Sequence, residues 1–202
     1  MVGVGGQGSL SASKILGEAA VLAGQCAVVG EIHGMSQRGG IVTSTVRIGK
    51  VYGPIISQGS ADVLIGFEPL ETWRTIGMAH KETIVLVNTR RIIPSSISSQ
   101  SESYPDDATI LDNLKKVSGR ILAFDATQIA LKAGEAMTLN AVMLGALFYS
   151  FPLPLQRTHL ERAMAENVPP HTLEINKKAF SAGLDFAKQL GWNRQGSCPQ
   201  HH

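Results

Sequence analysis

Apolar residues along the chain fall into short runs separated by longer amphipathic stretches. The short runs predict β-strands at residues 2–4, 26–30, 41–48, 62–67, 83–87 and 121–124. The amphipathic stretches predict helices at residues 9–23, 69–79, 108–117, 127–134, 138–149, 156–166 and 172–190. Alternation of this kind is typical of an α/β fold. We therefore predict a three-layer α/β/α, Rossmann-like domain over residues 1–193 and a flexible polar tail at residues 194–202.

Three of the predicted strands define the expected sheet. Residues 26–30 are predicted as a buried parallel strand that completes a right-handed βαβ unit with the first strand and helix. Residues 41–48 alternate apolar and polar side chains, which predicts a half-exposed antiparallel strand added at an edge of a mostly parallel sheet. The first strand keeps only Val2 and Val4 as apolar residues, where a strand usually has about five or six residues. It is either cut short or lacks a few residues.

Composition and charge exclude several classes of protein. The net charge is only +2, without the clustered basic residues that nucleic-acid binding requires. No apolar run reaches the ~18 residues of a membrane span, and the N-terminus does not resemble a signal peptide, so we expect a cytoplasmic protein. The two cysteines, Cys26 and Cys198, cannot build an iron–sulfur or zinc site. Charged residues make up 17% of the chain, below the usual ~25%, which favours a subunit that hides surface against a partner.

A glycine-rich motif lies between the first strand and the first helix. Residues 3–8 read GVGGQG and satisfy the pattern G-x-G-x-x-G, with Ser9 as the expected helix cap. Glycines let the backbone approach a ligand, and the free N–H groups of a helix start favour an anion. We predict that an anionic cofactor binds the loop residues Gly3, Gly5, Gly6, Gln7 and Gly8. The alternative is a turn that binds nothing.

The segment after the second predicted strand contains further candidates. Glu31 lies about 23 residues after the glycine motif, where an NAD enzyme places its ribose-binding acid. Arg38 precedes two glycines, so its guanidinium is accessible to a phosphate, a carboxylate or an acid of a partner. We assign Arg38 to cofactor binding. The substrate or a subunit interface is expected to contact Glu31, His33, Gln37, Gly39 and Gly40; a surface connection is the alternative.

Polar residues also end the other predicted strands. Glu68 is a candidate to face the crevice at the carboxyl ends of the strands and to contact substrate or a partner subunit, with Glu71 stabilising the start of the next helix. Capping of that helix is the alternative that we favour for this segment. Asn88 and Asp125 are either crevice residues or turn formers. Gly145, in an apolar helix that begins near Asn140, indicates close helix packing.

The usual signatures of a self-sufficient catalytic site are missing from the sequence. There is no G-x-S-x-G, G-x-x-x-x-G-K-[ST] or H-E-x-x-H motif, and the six histidines are scattered. We therefore assign no catalytic residue and no metal ligand to this chain.

Taken together, the motifs resemble a known family. GVGGQG at 3–8, HGMSQRGG at 33–40, ADVLIGFEPLE at 61–71 and IVLVNTR at 84–90 are similar, in this order, to the gamma-type module of 2-oxoacid:ferredoxin oxidoreductases. The sequences HGMSQRGG and GFEPLE most resemble the indolepyruvate branch of this family. Pyruvate, 2-oxoisovalerate and 2-oxoglutarate branches are the alternatives within the family.

The resemblance implies an assembly. Complexes of this family decarboxylate a 2-oxoacid on thiamine diphosphate, pass electrons through [4Fe–4S] clusters to ferredoxin and form an acyl-CoA. It implies that thiamine diphosphate, Mg²⁺ and the clusters are on a large alpha subunit, that CoA is a co-substrate, and that this chain is the small subunit of a hetero-oligomer. For the isolated chain, a homodimer is one of the expected states. Two other hypotheses remain open, a free NAD(P)-dependent reductase and a structural subunit whose glycine turn binds nothing.

Overall fold

A computed structural model of the chain describes residues 1–33, 40–92 and 104–192, except for the side chain of His33. The predicted tail at 194–202 lies outside these residues. Within them, the strands are β1 (Val2–Val4), β2 (Ala27–His33), β3 (Ile41–Ile48), β4 (Val63–Gly66), β5 (Ile84–Asn88) and β6 (Arg120–Phe124). The helices are α1 (Ser9–Leu22), α2 (Pro69–Arg74), α3 (Asp107–Val117), α4 (Ala126–Ala133), α5 (Leu139–Ser150), α6 (Arg157–Asn167) and α7 (Leu173–Gln189).

The six strands form one sheet in the order β2-β3-β1-β4-β5-β6. Strands β1, β4, β5 and β6 run parallel, whereas β3 is antiparallel to both β1 and β2. Helices cover both faces of the sheet. The α/β/α architecture with a mostly parallel sheet is therefore confirmed. The antiparallel strand at 41–48, which was predicted at an edge, instead lies inside the sheet between β2 and β1.

The prediction for the second strand was wrong in two respects. It is the outer edge strand, paired antiparallel with β3, and several of its residues are exposed rather than buried. It also extends through residues 31–33, which were expected in a loop. Among the apolar residues that suggested full burial, Val29 packs against α1 on one side of the strand. A Cβ built on Gly17 of α1 would lie 2.5 Å from Val29 Cγ2.

Two apolar clusters hold the three layers together. The larger one joins α1 and α4–α7 to one face of the sheet, with Phe67 and Phe180 fully buried. The smaller one joins α2 and α3 to the opposite face through Leu70, Ile110 and Leu114. Helix α2 is shorter than predicted and is followed by a 3-10 turn at Ile76–Met78. In the described part of the chain, every helix is too short or too polar to cross a membrane.

Glycines set the closest helix contact of the larger cluster. A Cβ added to Gly145 on α5 would lie 2.0 Å from the carbonyl oxygen of Phe180, and one added to Gly183 on α7 would lie 2.1 Å from that of Val142. The two helices therefore touch along their backbones. This confirms the packing role predicted for Gly145, while its partner Gly183 was not foreseen.

Candidate functional site at the glycine loop

The glycine loop connects β1 to α1 in a conformation that only glycine adopts readily. Gly6 and Gly8 have positive φ angles of 99° and 81°. Gly8 is the N-cap of α1, and no side chain caps the helix. The expectation that Ser9 caps it was wrong, because Ser9 is already the first helical residue. The N–H groups of the first turn are thus left for a ligand or solvent.

Gln7 fixes the loop from the inside. Its Nε2 donates to the carbonyl oxygen of Phe67 at 2.7 Å, and its Oε1 accepts from the N–H of Val4 at 2.7 Å. A Cβ on Gly3 would lie 2.8 Å from both Gln7 Oε1 and Phe67 Cβ. The side chain of Gln7 is therefore occupied by the backbone, and Gly3 is needed for packing. These two residues therefore help to build the loop, and the prediction that their backbone takes part in binding an anionic cofactor stays a prediction.

A pocket of about 1000 Å³ opens beside the other loop glycines. The N–H of Gly5 donates to the carbonyl oxygen of Gly40 at 3.0 Å, which joins the loop to the start of β3. The structure thus brings together Gly5, Gly6, Gly8 and Gly40, all of which were predicted site residues and all of which line this pocket. The remaining walls come from the first turn of α1, the start of β3, the end of α6 and the segments that lead into α5 and α7.

Asn140 is the residue of this pocket that sequence reasoning missed. Its side chain is 93% buried, since its exposed fraction is 7%. Its Oδ1 accepts from the N–H of Ala141 at 2.9 Å, whereas its Nδ2 donates no hydrogen bond to any residue that the structure describes. It packs against the loop, because a Cβ on Gly8 would lie 3.2 Å from Asn140 Cβ. One polar residue in an otherwise apolar helix was the available signal.

The pocket offers neutral donors rather than cations. Among the described residues that line it, Glu135 is the one carboxylate and no lysine or arginine is present. Backbone N–H groups and the amide of Asn140 are among the groups that can receive an anion there, together with side chains such as those of Ser9, Ser11 and His171. The described residues contain no cluster of three or more histidine, cysteine or acidic side chains that could hold a metal ion.

Several predicted site residues are not in this pocket. Glu31 lies on the outer strand β2, opposite Ser44 of β3, so a whole strand separates it from β1 and the loop. It therefore does not occupy the place of a ribose-binding acid. The backbone of His33 ends β2. Gln37, Arg38 and Gly39 lie outside the described residues.

Glu68 is buried instead of facing an open crevice. It is the N-cap of α2: its Oε2 accepts from the N–H of Glu71 at 3.0 Å, and Tyr104 Oη donates to its Oε1 at 2.5 Å. Burial raises the pKa of Glu68 despite these hydrogen bonds. Glu71, predicted to stabilise the helix start, is also buried and pairs with Arg74 at 2.8 Å. The contact of Glu68 with substrate is thus corrected to a capping role, which its position before Pro69 explains.

Asn88 and Asp125 both position α4. Asn88 Oδ1 accepts from the N–H of Ala126 at 3.0 Å, and its Nδ2 donates to the carbonyl oxygen of Phe67 at 3.0 Å. Asp125 caps the helix by accepting from the N–H of Gln128 at 2.8 Å. Of the two hypotheses, the structure supports turn and cap formation.

Comparisons with known proteins agree with this architecture. Residues 1–186 match the family described as pyruvate ferredoxin/flavodoxin oxidoreductase. Indolepyruvate oxidoreductase subunit IorB of Archaeoglobus fulgidus is 42% identical over 93% of this chain and 93% of its own length. The pyruvate/ketoisovalerate oxidoreductases common subunit gamma of Pyrococcus abyssi is 32% identical over 88% of this chain and 89% of its own length.

A solved structure gives the same result. The crystal structure of pyruvate oxidoreductase subunit PORC from Thermotoga maritima superposes with a TM-score of 0.67 at 25% identity, over 91% of this chain and 92% of that one. Both the sequence match and the shared fold extend over nearly the whole length of the chain, and the chain therefore belongs to the pyruvate ferredoxin/flavodoxin oxidoreductase family.

Proposed function

We propose that this chain is the small subunit of an arylpyruvate:ferredoxin oxidoreductase. The overall reaction converts an arylpyruvate, CoA and two oxidised ferredoxins into an arylacetyl-CoA, CO₂ and two reduced ferredoxins, with release of a proton. Decarboxylation and electron transfer take place on a large partner subunit, which carries thiamine diphosphate, Mg²⁺ and [4Fe–4S] clusters. The small subunit forms part of the wall of the active site and does not react by itself.

The observation that carries this proposal is the difference in identity between two branches of the family. The chain is 42% identical to an indolepyruvate oxidoreductase subunit but 32% identical to a gamma subunit of pyruvate/ketoisovalerate enzymes, at similar coverage. A cubane cluster requires four cysteine ligands and the chain has two cysteines, which supports placing the clusters on the partner.

The strand order argues against the free NAD(P)-dependent reductase. In a dinucleotide-binding unit the acid that binds the ribose follows the strand beside the glycine-rich one. Here β3 lies between β1 and β2, and Glu31 is exposed on the far edge of the sheet. The glycine loop is therefore present, but Glu31 does not lie where a ribose-binding acid would be.

The pocket beside the glycine loop is the proposed site of an anionic group, which we assign to a phosphate of CoA. Gly8 leaves α1 uncapped, so its first N–H groups face the pocket together with the unpaired amide nitrogen of Asn140. An anion at this position would receive backbone donors from the helix start and one side-chain donor.

Reconstitution tests the assignment of the reaction. The chain is co-expressed with a large subunit of the proposed kind, and reduction of ferredoxin is followed with indolepyruvate, phenylpyruvate, pyruvate and 2-oxoglutarate in the presence of CoA. We expect the two aryl substrates to give the highest kcat/KM, and no activity from this chain alone. Preference for pyruvate or 2-oxoglutarate would assign the chain to another branch, and turnover by the isolated chain would contradict the role of the partner.

Substitution of Asn140 tests the pocket. Asn140→Leu keeps the size of the side chain but removes the donor, which we expect to raise the KM for CoA about tenfold to a hundredfold, as for a lost hydrogen bond to a charged group. Asn113→Leu, on the distant helix α3, is the matched control. An unchanged KM for CoA in an assembled Asn140→Leu complex would refute the phosphate assignment while leaving the overall reaction untouched.

A further inference from the structure

Strand β2 forms one edge of the sheet along its whole length. In the described part of the chain, β3 pairs with one side of β2 and no strand lies on the other side. Edge strands are usually protected from further pairing by lysine, by proline or by a very short length. β2 has seven residues, AVVGEIH, with neither lysine nor proline and with Glu31 as its single acidic residue. It is therefore an edge that can accept a further strand.

The backbone groups of β2 alternate between the two sides of the strand. The N–H of Gly49 donates to the carbonyl oxygen of Cys26 at 2.8 Å, in register with the ladder between β2 and β3. In an antiparallel pair, alternate residues direct their backbone groups to the same neighbour. Since Cys26 points to β3, so do Val28, Gly30 and Ile32. The backbone groups of the residues between them are directed to the outer edge.

The two faces of β2 are covered by different parts of the chain. On one face, Val29 packs against Gly17 of α1. On the other face lies the segment that follows β3, because Thr45 Oγ1 donates to the carbonyl oxygen of Pro54 at 2.8 Å. A Cβ built on Gly30 would lie 2.4 Å from Pro54 Cβ, so this segment lies directly over the middle of β2.

Ile32 is an apolar residue on this second face that stays uncovered. Its side chain is 70% exposed, although it lies within the strand. Residues two apart in a strand share a face, so Val28 and Gly30 lie on the same face as Ile32. A strand added at the outer edge covers Ile32 best if it brings an apolar side chain to this face.

We infer that β2 pairs antiparallel with β2 of a second copy of this chain, about a two-fold axis at Gly30, and thereby joins the six-stranded sheets of the two copies. In this register Ile32 lies opposite Val28 of the second copy, and the two-fold symmetry repeats the pair. The backbone groups of these two residues point away from each other. Such pairs have the closest side chains of an antiparallel ladder, with Cα atoms about 4.5 Å apart.

Charge and strand length select this register over its neighbours. The register can shift only in steps that keep outward-directed residues opposite each other. A shift to one side puts Glu31 opposite Glu31 of the second copy, and like charges in that position destabilise a sheet. A shift to the other side puts Ile32 opposite Cys26, which precedes β2. Pairing about Gly30 places Glu31 opposite Val29 and uses all seven residues, and this self-complementarity favours a second copy over an unrelated strand.

Disulfide cross-linking between two differently substituted chains tests both the pairing and its register. Full-length Val28→Cys and Ile32→Cys chains are made in a Cys26→Ser/Cys198→Ser background, mixed and oxidised with diamide. A Cα separation of about 4.5 Å is within the range of a disulfide, about 4.4–6.8 Å. We expect mass spectrometry to show a covalent dimer with one chain of each kind, and each chain alone to form at least tenfold less covalent dimer.

Sedimentation equilibrium of the full chain measures the reversible dimer. Ile32→Lys places a charge opposite Val28 of the second copy, and we expect the dissociation constant of the dimer to rise at least tenfold. Leu131→Lys, at an exposed apolar residue of α4, is the matched control and should leave this constant unchanged. The amide of Val29, which is directed to the outer edge, should exchange more slowly in the wild-type dimer than in the Ile32→Lys chain.

Three outcomes would overturn the inference. A wild-type chain that stays monomeric at every concentration, without a cross-link in the mixture, would mean that the edge does not pair with itself. Cross-linking of either chain alone as strongly as of the mixture would mean that the strands meet in another register. A dimer that Ile32→Lys and Leu131→Lys leave equally stable would place the interface elsewhere. None of these readouts depends on the proposed reaction.

Discussion

Alanine at Gly8 gives the most direct test of how the glycine loop and Asn140 fit together. The substitution has two costs. Gly8 has a φ of 81°, and a residue with a Cβ in this region loses roughly 1–2 kcal/mol. The added Cβ would also lie 3.2 Å from Asn140 Cβ and 3.4 Å from Asn140 Cγ, so the side chain of Asn140 must move. Overpacking of this kind costs about 1–3 kcal/mol.

Gly6 supplies a matched control in the same loop. Its φ is 99°, but a Cβ built on it meets no atom within 4 Å. Gly6→Ala should therefore pay only for the backbone conformation, about 1–2 kcal/mol, and Gly8→Ala should cost about 2–5 kcal/mol in total. The difference between the two variants isolates the contact with Asn140.

Urea denaturation of the two variants and the wild type measures these costs as changes in the free energy of unfolding. We expect Gly8→Ala to be the less stable variant by about 1–3 kcal/mol, with an unchanged m-value. If Gly8→Ala is no less stable than Gly6→Ala, Asn140 is not held against the loop, and the geometry assigned to the pocket is wrong.

Three further substitutions test other contacts. Gly145→Ala places a Cβ 2.0 Å from the Phe180 carbonyl oxygen and forces α5 and α7 apart. Thermal unfolding should therefore show that the free energy of unfolding falls by at least about 2 kcal/mol, despite the better helix propensity of alanine. The control Gly119→Ala, whose Cβ meets no atom within 4 Å, should be near neutral. Gln7→Leu leaves the buried N–H of Val4 without an acceptor, while Phe67 keeps its hydrogen bond from Asn88, so denaturation should show a cost of about 1–3 kcal/mol; a neutral result would mean that Gln7 does not hold the loop. Glu71→Gln tests the buried carboxyl group, whose pKa is raised by burial above 4.5. The folded state binds the proton of this group more tightly than the unfolded state does. Wild-type stability is therefore lost as the pH rises through the pKa of the folded state. The variant should therefore gain stability relative to the wild type as the pH rises above about 4.5, and a difference that is independent of pH would contradict the raised pKa.

The sequence alone was sufficient for the order of elements, the α/β/α layers and the family. Local patterns decide these features, since a buried strand and an amphipathic helix each have their own apolar period. The motif at residues 3–8 correctly located a loop between strand and helix, and Gly145 correctly indicated a close helix contact.

Contacts between residues that are far apart in the sequence could be identified only from the tertiary structure. The apolar residues at 26–30 predicted a buried strand parallel to the first one. Only the sheet order shows that β3 lies between β1 and β2 and leaves β2 at the edge. Gln7 was assigned to the anion-binding loop because it lies in the glycine motif, and Glu68 was expected to face the crevice because it follows a predicted strand. Their side chains instead make hydrogen bonds within the protein. The side chain of Gln7 bonds to Val4 and Phe67, and that of Glu68 to Glu71 and Tyr104.

Asn140 is a pocket residue whose role only the tertiary structure reveals. In the sequence it is one polar residue of an apolar helix, more than 130 positions from the glycine loop. Folding brings it against Gly8, where its Oδ1 accepts from the N–H of Ala141 and its Nδ2 has no acceptor among the described residues. The apolar periodicity of an element depends on residues that are neighbours in the sequence, so the sequence alone reveals it. Whether a buried polar group finds a hydrogen-bond partner depends on which remote backbone atoms reach it, and only the packed structure determines that.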